Sequence, residues 1–225
     1  QQNLDLWKSK YDSVPNNRIM ENIISKNSLT KLHTIRKNGQ SYNPIYNHTV
    51  KPHLKVTNQK SSGRCWIFAA LNVLRRQVVK KYKLENFEFS QSYLFFWDKL
   101  ERMNYNLQCI IKTREEATDS RLVQHLLDDP TCDGGQWDMI CNLINKYGLV
   151  PKSAYGESYH SSQSRDVNRV LKKKFREYAI TLRKCDNPQQ EKDKMINEVY
   201  DLLCKFFGMP PTSFDWEFID KDKKY

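Results

Sequence analysis

The chain has 225 residues, of which 39% are hydrophobic and 28% are charged, enough for one sizeable domain or two small ones. No apolar run approaches the roughly 18 uncharged residues that a bilayer-spanning helix needs, so we expect no membrane partner. The net charge of +11 permits an acidic or nucleic-acid partner, although a basic excess more often reflects a solvated surface.

The beginning of the chain gives no indication of a targeting signal. Residues 1–10 are polar and mixed in charge, without the apolar middle region of a secretory signal. Because the first residue is not Met, this need not be the natural N-terminus. Residues 1–56 are interpreted as an N-terminal arm with one or two short helices, for which Arg18–Ile24 is a candidate.

Six cysteines are scattered along the chain without the spacing of a metal site. None forms a C-x-x-C pair and none has a histidine at metal-ligand spacing, so we expect no metal and no cofactor. The chain is longer than the short secreted domains that depend on disulfides, so we interpret most of the cysteines as reduced, partly buried residues of a cytoplasmic protein. They are Cys65, Cys109, Cys132, Cys141, Cys185 and Cys204.

Helical periodicity predicts a first long helix from Cys65 to Tyr82, with the cysteine in its first turn. Apolar residues recur every three or four positions and form one stripe, with Arg75 and other basic residues mostly off it. The stripe consists of Ile67, Leu71, Leu74, Val78 and Tyr82.

Two further helices are predicted in the middle of the chain. One begins at Ser90, a favourable N-cap, whereas residues 104–121 are less patterned and are interpreted as a loop or an irregular insertion. The next follows the Gly134-Gly135 pair and ends at Gly148, which suits a left-handed C-cap. The inward-facing residues are expected to be Tyr93, Phe96, Trp97 and Leu100 in the first of these helices, and Trp137, Ile140, Ile144 and Tyr147 in the second.

The last third of the chain is predicted to form a helical hairpin. Residues 165–184 and 190–207 each carry one apolar face, and Asn187-Pro188 is interpreted as the turn between them. Strict apolar–polar alternation is nearly absent along the whole chain, so the pattern favours helices over strands.

The segment around Cys65 carries the most chemical information. It places a thiol at the N-terminus of a long helix, where unpaired N–H groups and the helix dipole favour the thiolate. Arg64 adds positive charge nearby, and the bulky Trp66 is expected to shield the thiolate from solvent. Gln59 can aim its amide at a carbonyl oxygen under attack and form an oxyanion hole with the Cys65 N–H. Alternatively, Cys65 is a buried residue that starts a core helix, and Gln59 is a loop residue.

The string from Gln59 to Trp66 resembles the nucleophile motif of papain-like cysteine peptidases, Q-x-x-x-x-x-C-W. Ser62 stands where papain has its first cysteine, and Arg64 replaces the small residue before the nucleophile. With these two departures, the motif is similar to that of the bleomycin hydrolase branch. Further segments similar to that family follow in order at 87–99, 133–139, 146–151 and 220–223.

The resemblance implies an α+β papain-like cysteine peptidase in which Cys65 is the nucleophile and Gln59 is the oxyanion donor. Gly134 and Gly135 are expected along the substrate, because residues without side chains let a peptide backbone approach closely. Trp66 is placed with them in the substrate-binding set. An alternative for the glycine pair is a turn that caps the following helix, and the two roles are compatible.

The resemblance also bears on the redox state of the chain. In secreted relatives of papain, the cysteine at the position of Ser62 pairs with a cysteine just before the glycine pair. Cys132 lies close to that second position but has no partner at Ser62, so we expect no disulfide there, in agreement with a cytoplasmic enzyme.

A thiolate nucleophile needs a general base, normally a histidine held by Asn or Asp. In simple papain-like enzymes this histidine lies about 130–150 residues after the cysteine, but residues 195–215 contain none. The resemblance implies that insertions push the His and Asn beyond residue 225, together with the β-barrel half of the fold. Residues 57–155 then form the helical subdomain of the catalytic domain, and residues 156–225 form an incomplete helical insertion. The histidines present are His33, His48, His53, His125 and His160.

Three functions are consistent with these observations. The resemblance implies an aminopeptidase-like cysteine hydrolase of peptides and bleomycin-type amides, assembled as a homohexamer. The dense positive charge of residues 165–184, which include Lys172, Lys173 and Lys174, indicates either nucleic-acid binding or a solvated helix face. A third alternative is a non-catalytic, subunit-like role for the chain.

Overall fold

Residues 2–32 and 45–222 are described by the computed structural model, and the chain divides into two units, Gln1–Lys51 and Pro52–Tyr225. His33 lies outside the described residues. In the first unit, α1 contacts α2, and the helix expected around residues 18–24 is confirmed as part of α2. The helices of this unit are α1 (Gln2–Asp12), α2 (Pro15–Lys26) and the short α3 (Leu29–Leu32).

The regular secondary structure of the second unit is helical. Outside its helices the chain makes two isolated bridges, Ser61 with Gln163 (parallel) and Phe89 with Pro151 (antiparallel), and the described residues contain no longer strand. This arrangement agrees with the helical half of a papain-like fold, while the β-barrel half and the boundary at residue 155 stay predictions. The helices of this unit are α4 (Cys65–Lys81), α5 (Gln91–Lys112), α6 (Arg121–Asp128), α7 (Trp137–Tyr147), α8 (Tyr159–Ser162), α9 (Arg165–Lys184) and α10 (Pro188–Phe207).

Helix α5 lies at the centre of the second unit, where it contacts α4, α6, α7, α9 and α10. Its start is confirmed, because the Ser90 hydroxyl accepts a hydrogen bond from the Tyr93 N–H at 3.1 Å and caps the helix. Phe95 and Phe96 are fully buried in the next turn. The helix therefore supplies much of the core against which the site-bearing segments pack.

The interpretation of residues 104–112 as irregular is wrong, because α5 continues to Lys112. Met103, Leu107 and Ile110 are all fully buried and recur at helical spacing. Polar residues lie between them and interrupt the apolar pattern, so the sequence of this segment resembles that of a loop.

Helix α4 confirms the long helix expected after residue 64, although one of its basic residues lies inside. Arg75 is only 6% exposed, and its guanidinium donates to the Lys55 carbonyl at 2.8 Å. The expectation that Arg75 lies off the packed face is therefore wrong, and its side chain ties the segment before the site to α4.

Helix α7 begins and ends as expected, but its first side chain faces outward. Gly148 follows it with a φ of +73° and donates its N–H to the Ile144 carbonyl, a backbone conformation that favours glycine. Trp137, expected to face inward, is instead 67% exposed. As the first residue of the helix, it lies on the side that no other described element covers.

The hairpin of α9 and α10 is confirmed, and the two helices contact each other. Asn187 caps α10 by accepting a hydrogen bond from the Gln190 N–H, and Pro188 occupies the first helical position. Within the described part of the chain, no helix is long and apolar enough to cross a membrane.

Candidate active site

Cys65 is the first residue of α4, and its side chain is exposed. The preceding residue, Arg64, makes no side-chain cap, so the first N–H groups of the helix remain available near the thiol. The positive end of the helix dipole stabilises negative charge at such a position. The alternative of a buried cysteine that merely starts a core helix is wrong.

Cys65 and Gln59 line the same cleft, which has a volume of about 440 Å³. On one wall, Thr57 and Asn72 join the segment before the turn to α4 through a hydrogen bond of 2.9 Å. No histidine is found among the residues that line the cleft in the described chain, which are Val56, Thr57, Asn58, Gln59, Cys65, Phe68, Ala69 and Asn72. The structure therefore brings together the two residues that the motif singled out, without a base.

The turn before Cys65 is closed by two reciprocal hydrogen bonds. The Gln59 amide donates to the Ser62 carbonyl at 2.9 Å, and the Ser62 hydroxyl donates to the Gln59 carbonyl at 2.6 Å. Lys60 has a φ of +58°, an unusual conformation for a residue with a side chain. Its N–H donates to the Asn58 side chain at 2.8 Å, which supports this tight turn.

The Arg64 side chain points into the protein, so it does not have the role expected for it beside Cys65. It is fully buried, and one of its terminal nitrogens lies 2.9 and 2.8 Å from the two carboxylate oxygens of Glu157. Burial lowers the pKa of Arg64, although the charge of Glu157 opposes this effect. Because its charge is balanced inside, Arg64 does not supply an exposed positive charge beside Cys65.

The glycine pair lies next to the turn that carries the cysteine. The Gly134 N–H donates to the Gly63 carbonyl at 3.2 Å. A Cβ atom on Gly135 would lie 2.7 Å from the ring of Trp66, so the indole packs directly against this backbone. The shielding of Cys65 by Trp66 is not seen in the described chain, where the thiol is exposed. Gln136 occupies the N-cap position of α7. The glycine pair therefore lies just before the cap residue.

Asp133 joins three segments around the site. One carboxylate oxygen accepts from Lys99 and Asn168, each at 2.8 Å. The other accepts from the Ser164 hydroxyl at 2.7 Å and from the Gly63 N–H at 3.3 Å. Burial by itself raises the pKa of Asp133, but the charge of Lys99 and these hydrogen bonds outweigh it and hold the pKa below its usual range.

A row of polar side chains on α5 holds the loop that ends in the glycine pair. The buried Lys99 ammonium donates to the carbonyls of Thr131 and Cys132 at 2.8 and 3.3 Å. Arg102 donates to the Gly134 carbonyl. Sequence reasoning missed this row, although charges inside the otherwise apolar start of α5 were the available signal.

The cysteines differ in exposure. Cys65 and Cys132 are exposed, so the expectation of partial burial is wrong for Cys132. The other four cysteines are partly buried, and all six are free. Within the described residues, no group of three His, Cys, Asp or Glu side chains is placed to hold a metal ion. A larger groove of about 630 Å³ between α5 and α7 contains Cys132 but neither Cys65 nor Gln59.

Many basic side chains of α9 have partners within the protein. The dense positive charge of residues 165–184 is therefore partly neutralised, and nucleic-acid binding stays a prediction. The contacts are Arg169 with Asp166 at 3.2 Å, Lys172 with Asp129 at 3.9 Å, Lys174 with Glu177 at 3.6 Å, and Arg176 and Arg183 with the carbonyls of Leu127 and Thr113 at 3.1 and 2.9 Å.

Gly63 offers a direct test of how tightly the two loops pack. A Cβ atom there would lie 2.0 Å from the Cβ atom of Asp133, a distance that requires the backbone to move. We expect Gly63→Ala to lower the free energy of unfolding by about 3 kcal/mol, measured by urea denaturation. Gly156→Ala is the matched control, since its Cβ would meet nothing within 4 Å. Equal stability of the two variants would contradict the packing described.

Comparisons with known proteins agree with this geometry. The model of the Peptidase C1-like family matches residues 1–225. The chain is 43% identical to the bleomycin hydrolase of Rattus norvegicus over 226 residues, which cover 96% of this chain and 50% of the relative. It is 42% identical to the aminopeptidase C of Listeria monocytogenes over 226 residues, 99% of this chain and 51% of the relative.

A solved structure agrees along the whole chain. The crystal structure of PepW from Lactobacillus rhamnosis matches with a TM-score of 0.89 at 40% identity, covering 100% of this chain and 52% of that protein. The chain thus spans about half the length of the relatives that it matches.

Proposed function

Because the chain belongs to the Peptidase C1-like family, we propose that the whole protein is a cysteine peptidase in which Cys65 is the nucleophile. One observation carries this proposal: an exposed thiol at the N-terminus of α4 shares a cleft with the Gln59 amide. This pairs a nucleophile with a hydrogen-bond donor for the oxygen of the carbonyl under attack.

The proposed reaction begins when the Cys65 thiolate attacks the carbonyl carbon of a peptide bond. The carbonyl oxygen becomes an oxyanion, which accepts hydrogen bonds from the Cys65 N–H and the Gln59 amide. Collapse of this intermediate expels the amine, which takes a proton from an imidazolium, and leaves an acyl group on the sulfur. Water then hydrolyses the thioester. The imidazole belongs to the part of the protein that the resemblance places beyond residue 225.

The substrate class follows from the relatives. Two of them are called bleomycin hydrolase and aminopeptidase C, so we propose that the whole protein removes N-terminal residues from peptides and hydrolyses bleomycin-type amides. Gly134, Gly135 and Trp66 form the substrate-binding side in this proposal, supported by their position next to the cysteine turn. A cytoplasmic homohexamer remains part of the proposal on the ground of resemblance.

Thiol labelling tests the proposal. We expect iodoacetamide at neutral pH to modify Cys65 of the whole protein at least about tenfold faster than Cys132, because a nucleophilic cysteine is activated by an adjacent general base. Both thiols are exposed, so accessibility alone does not predict the difference. Peptide mapping by mass spectrometry gives the two rates. Hydrolysis of a peptide with a free amino terminus is expected to disappear in step with Cys65 labelling, and activity that persists on fully labelled protein refutes the nucleophile.

A further inference from the structure

We propose that Arg64 is a positioning residue: anchored by its ion pair with Glu157, it holds Ser62, and through Ser62 it orients the Gln59 amide in the cleft. The inference rests on the proposed function of Cys65 and Gln59 and adds the means by which the oxyanion donor is held. The contacts run from the Glu157 carboxylate to the Arg64 guanidinium and on to the Ser62 hydroxyl, which meets the backbone carbonyl of Gln59. A second terminal nitrogen of Arg64 also lies 3.5 Å from that carbonyl.

The Gln59 amide is fixed by its own turn. Among the described residues, its nitrogen makes one hydrogen bond, to the Ser62 carbonyl at 2.9 Å. An amide nitrogen carries two hydrogens, so the bond to Ser62 sets the plane of the amide and leaves the second N–H for a substrate oxygen. The direction of that N–H therefore depends on where Ser62 is held.

Arg64 determines how the Ser62 hydroxyl is used. The Arg64 Nε donates to the Ser62 Oγ at 2.8 Å, and a guanidinium has only donors to offer. The hydroxyl must consequently direct its own hydrogen elsewhere, and it donates to the Gln59 carbonyl at 2.6 Å. Ser62 is 6% exposed, so water cannot readily replace either contact.

Arg64 is itself held from two directions. A terminal nitrogen contacts both carboxylate oxygens of Glu157, while the guanidinium carbon lies 5.1 Å from the ring centre of Phe68 and 5.6 Å from that of Phe95. The contacts to Ser62 and Glu157 use different nitrogens of the planar group, an arrangement that a lysine ammonium cannot reproduce. This charge-assisted network therefore holds the turn at Ser62.

The experiment separates steps that need the oxyanion donor from a step that does not. In the whole protein, we compare Ser62→Ala, Arg64→Lys, Gln59→Ala and the Gln59→Ala/Ser62→Ala double variant. The readouts are kcat and KM for a peptide substrate, the affinity for a peptide aldehyde with a free amino terminus, and the rate of Cys65 alkylation by iodoacetamide. The aldehyde adduct places an oxygen at the oxyanion position, whereas alkylation forms no oxyanion.

We expect Gln59→Ala to lower kcat by about 10²-fold to 10³-fold, and Ser62→Ala and Arg64→Lys to lower kcat and aldehyde affinity by about tenfold. KM and the alkylation rate should stay within about twofold in all three. Because Ser62 acts through Gln59, adding Ser62→Ala to Gln59→Ala should change kcat no further. The exposed Ser153→Ala is the matched control.

Two results overturn the inference. One is a loss of alkylation rate equal to the loss of kcat in Ser62→Ala, which indicates general disruption of the site. The other is a full further tenfold loss in the double variant, which means that Ser62 acts independently of Gln59. Should Arg64→Lys not fold, Ser62→Ala decides, since it removes a single oxygen. If hydrolysis instead survives complete labelling of Cys65, the proposed function fails, and that outcome is distinct from either of these.

Discussion

Replacing Cys65 with alanine is expected to lower kcat for peptide hydrolysis by about 10⁵-fold or more, because removing a covalent nucleophile leaves only binding and oxyanion stabilisation. The cost in stability should be below about 0.5 kcal/mol, since the side chain is exposed and bonds no other described residue. A loss of activity with an unchanged unfolding curve is thus the expected combination.

The measurement uses the whole protein, a peptide with a free amino terminus, and urea denaturation of the same preparations. Cys185→Ala serves as the control, because this partly buried cysteine follows α9 and does not line the cleft. Activity of Cys65→Ala within about tenfold of the starting protein would contradict a covalent mechanism. A non-catalytic role for the chain would leave both variants equally inactive, and the starting protein as well.

The proximity of Cys65 and Gln59 could be predicted because both lie in one short motif. A turn of six residues leaves few arrangements for a side chain and the helix that follows it. The long helices α4, α9 and α10 were also predictable, since their apolar residues recur at helical spacing. Local sequence thus specified the turn and the helix start that place Cys65 beside Gln59.

The contacts that hold this site could not be read from the sequence in the same way. Arg64 is directed inward by Glu157, which lies 93 positions away in the sequence, and no local pattern records such a pairing. A charged residue beside a candidate nucleophile suggests an electrostatic role, whereas burial between Phe68 and Phe95 gives it a structural one. The inward orientation predicted for Trp137 was wrong for a related reason. The exposure of a helical residue depends on which other elements cover that face of the helix.

Loss of Asp133 should strongly destabilise the second unit. Lys99 is fully buried, and its three N–H groups are directed at Asp133 and at two loop carbonyls. Asp133→Ala leaves this ammonium without a counter-charge, and it also removes the acceptor of the Gly63 N–H. We expect a loss of about 3–5 kcal/mol in the free energy of unfolding at pH 7, the range found when one partner of a buried ion pair is removed.

The control for this substitution is an exposed ion pair on the same unit. Asp166 lies 3.2 Å from Arg169, and both side chains are more than half exposed. Asp166→Ala should therefore cost less than about 1 kcal/mol. Urea is the suitable denaturant, because guanidinium salts would screen both pairs. A cost for Asp133→Ala no larger than that of the control would show that the buried pair contributes little.

The pH dependence of the same comparison identifies the charge as the source of the stability. The folded pKa of Asp133 is lowered, so its contribution is fully present above the unfolded value of about 3.9 and is lost as the pH falls through the folded pKa. The difference between the starting protein and Asp133→Ala should accordingly be constant from pH 7 to about pH 5 and shrink in more acidic solution. Asp133→Asn, which keeps the shape of the side chain, should reproduce most of the loss at pH 7 and little of it in acid. A difference that stays constant as the pH falls into the acid range would assign the stability to packing in place of the ion pair.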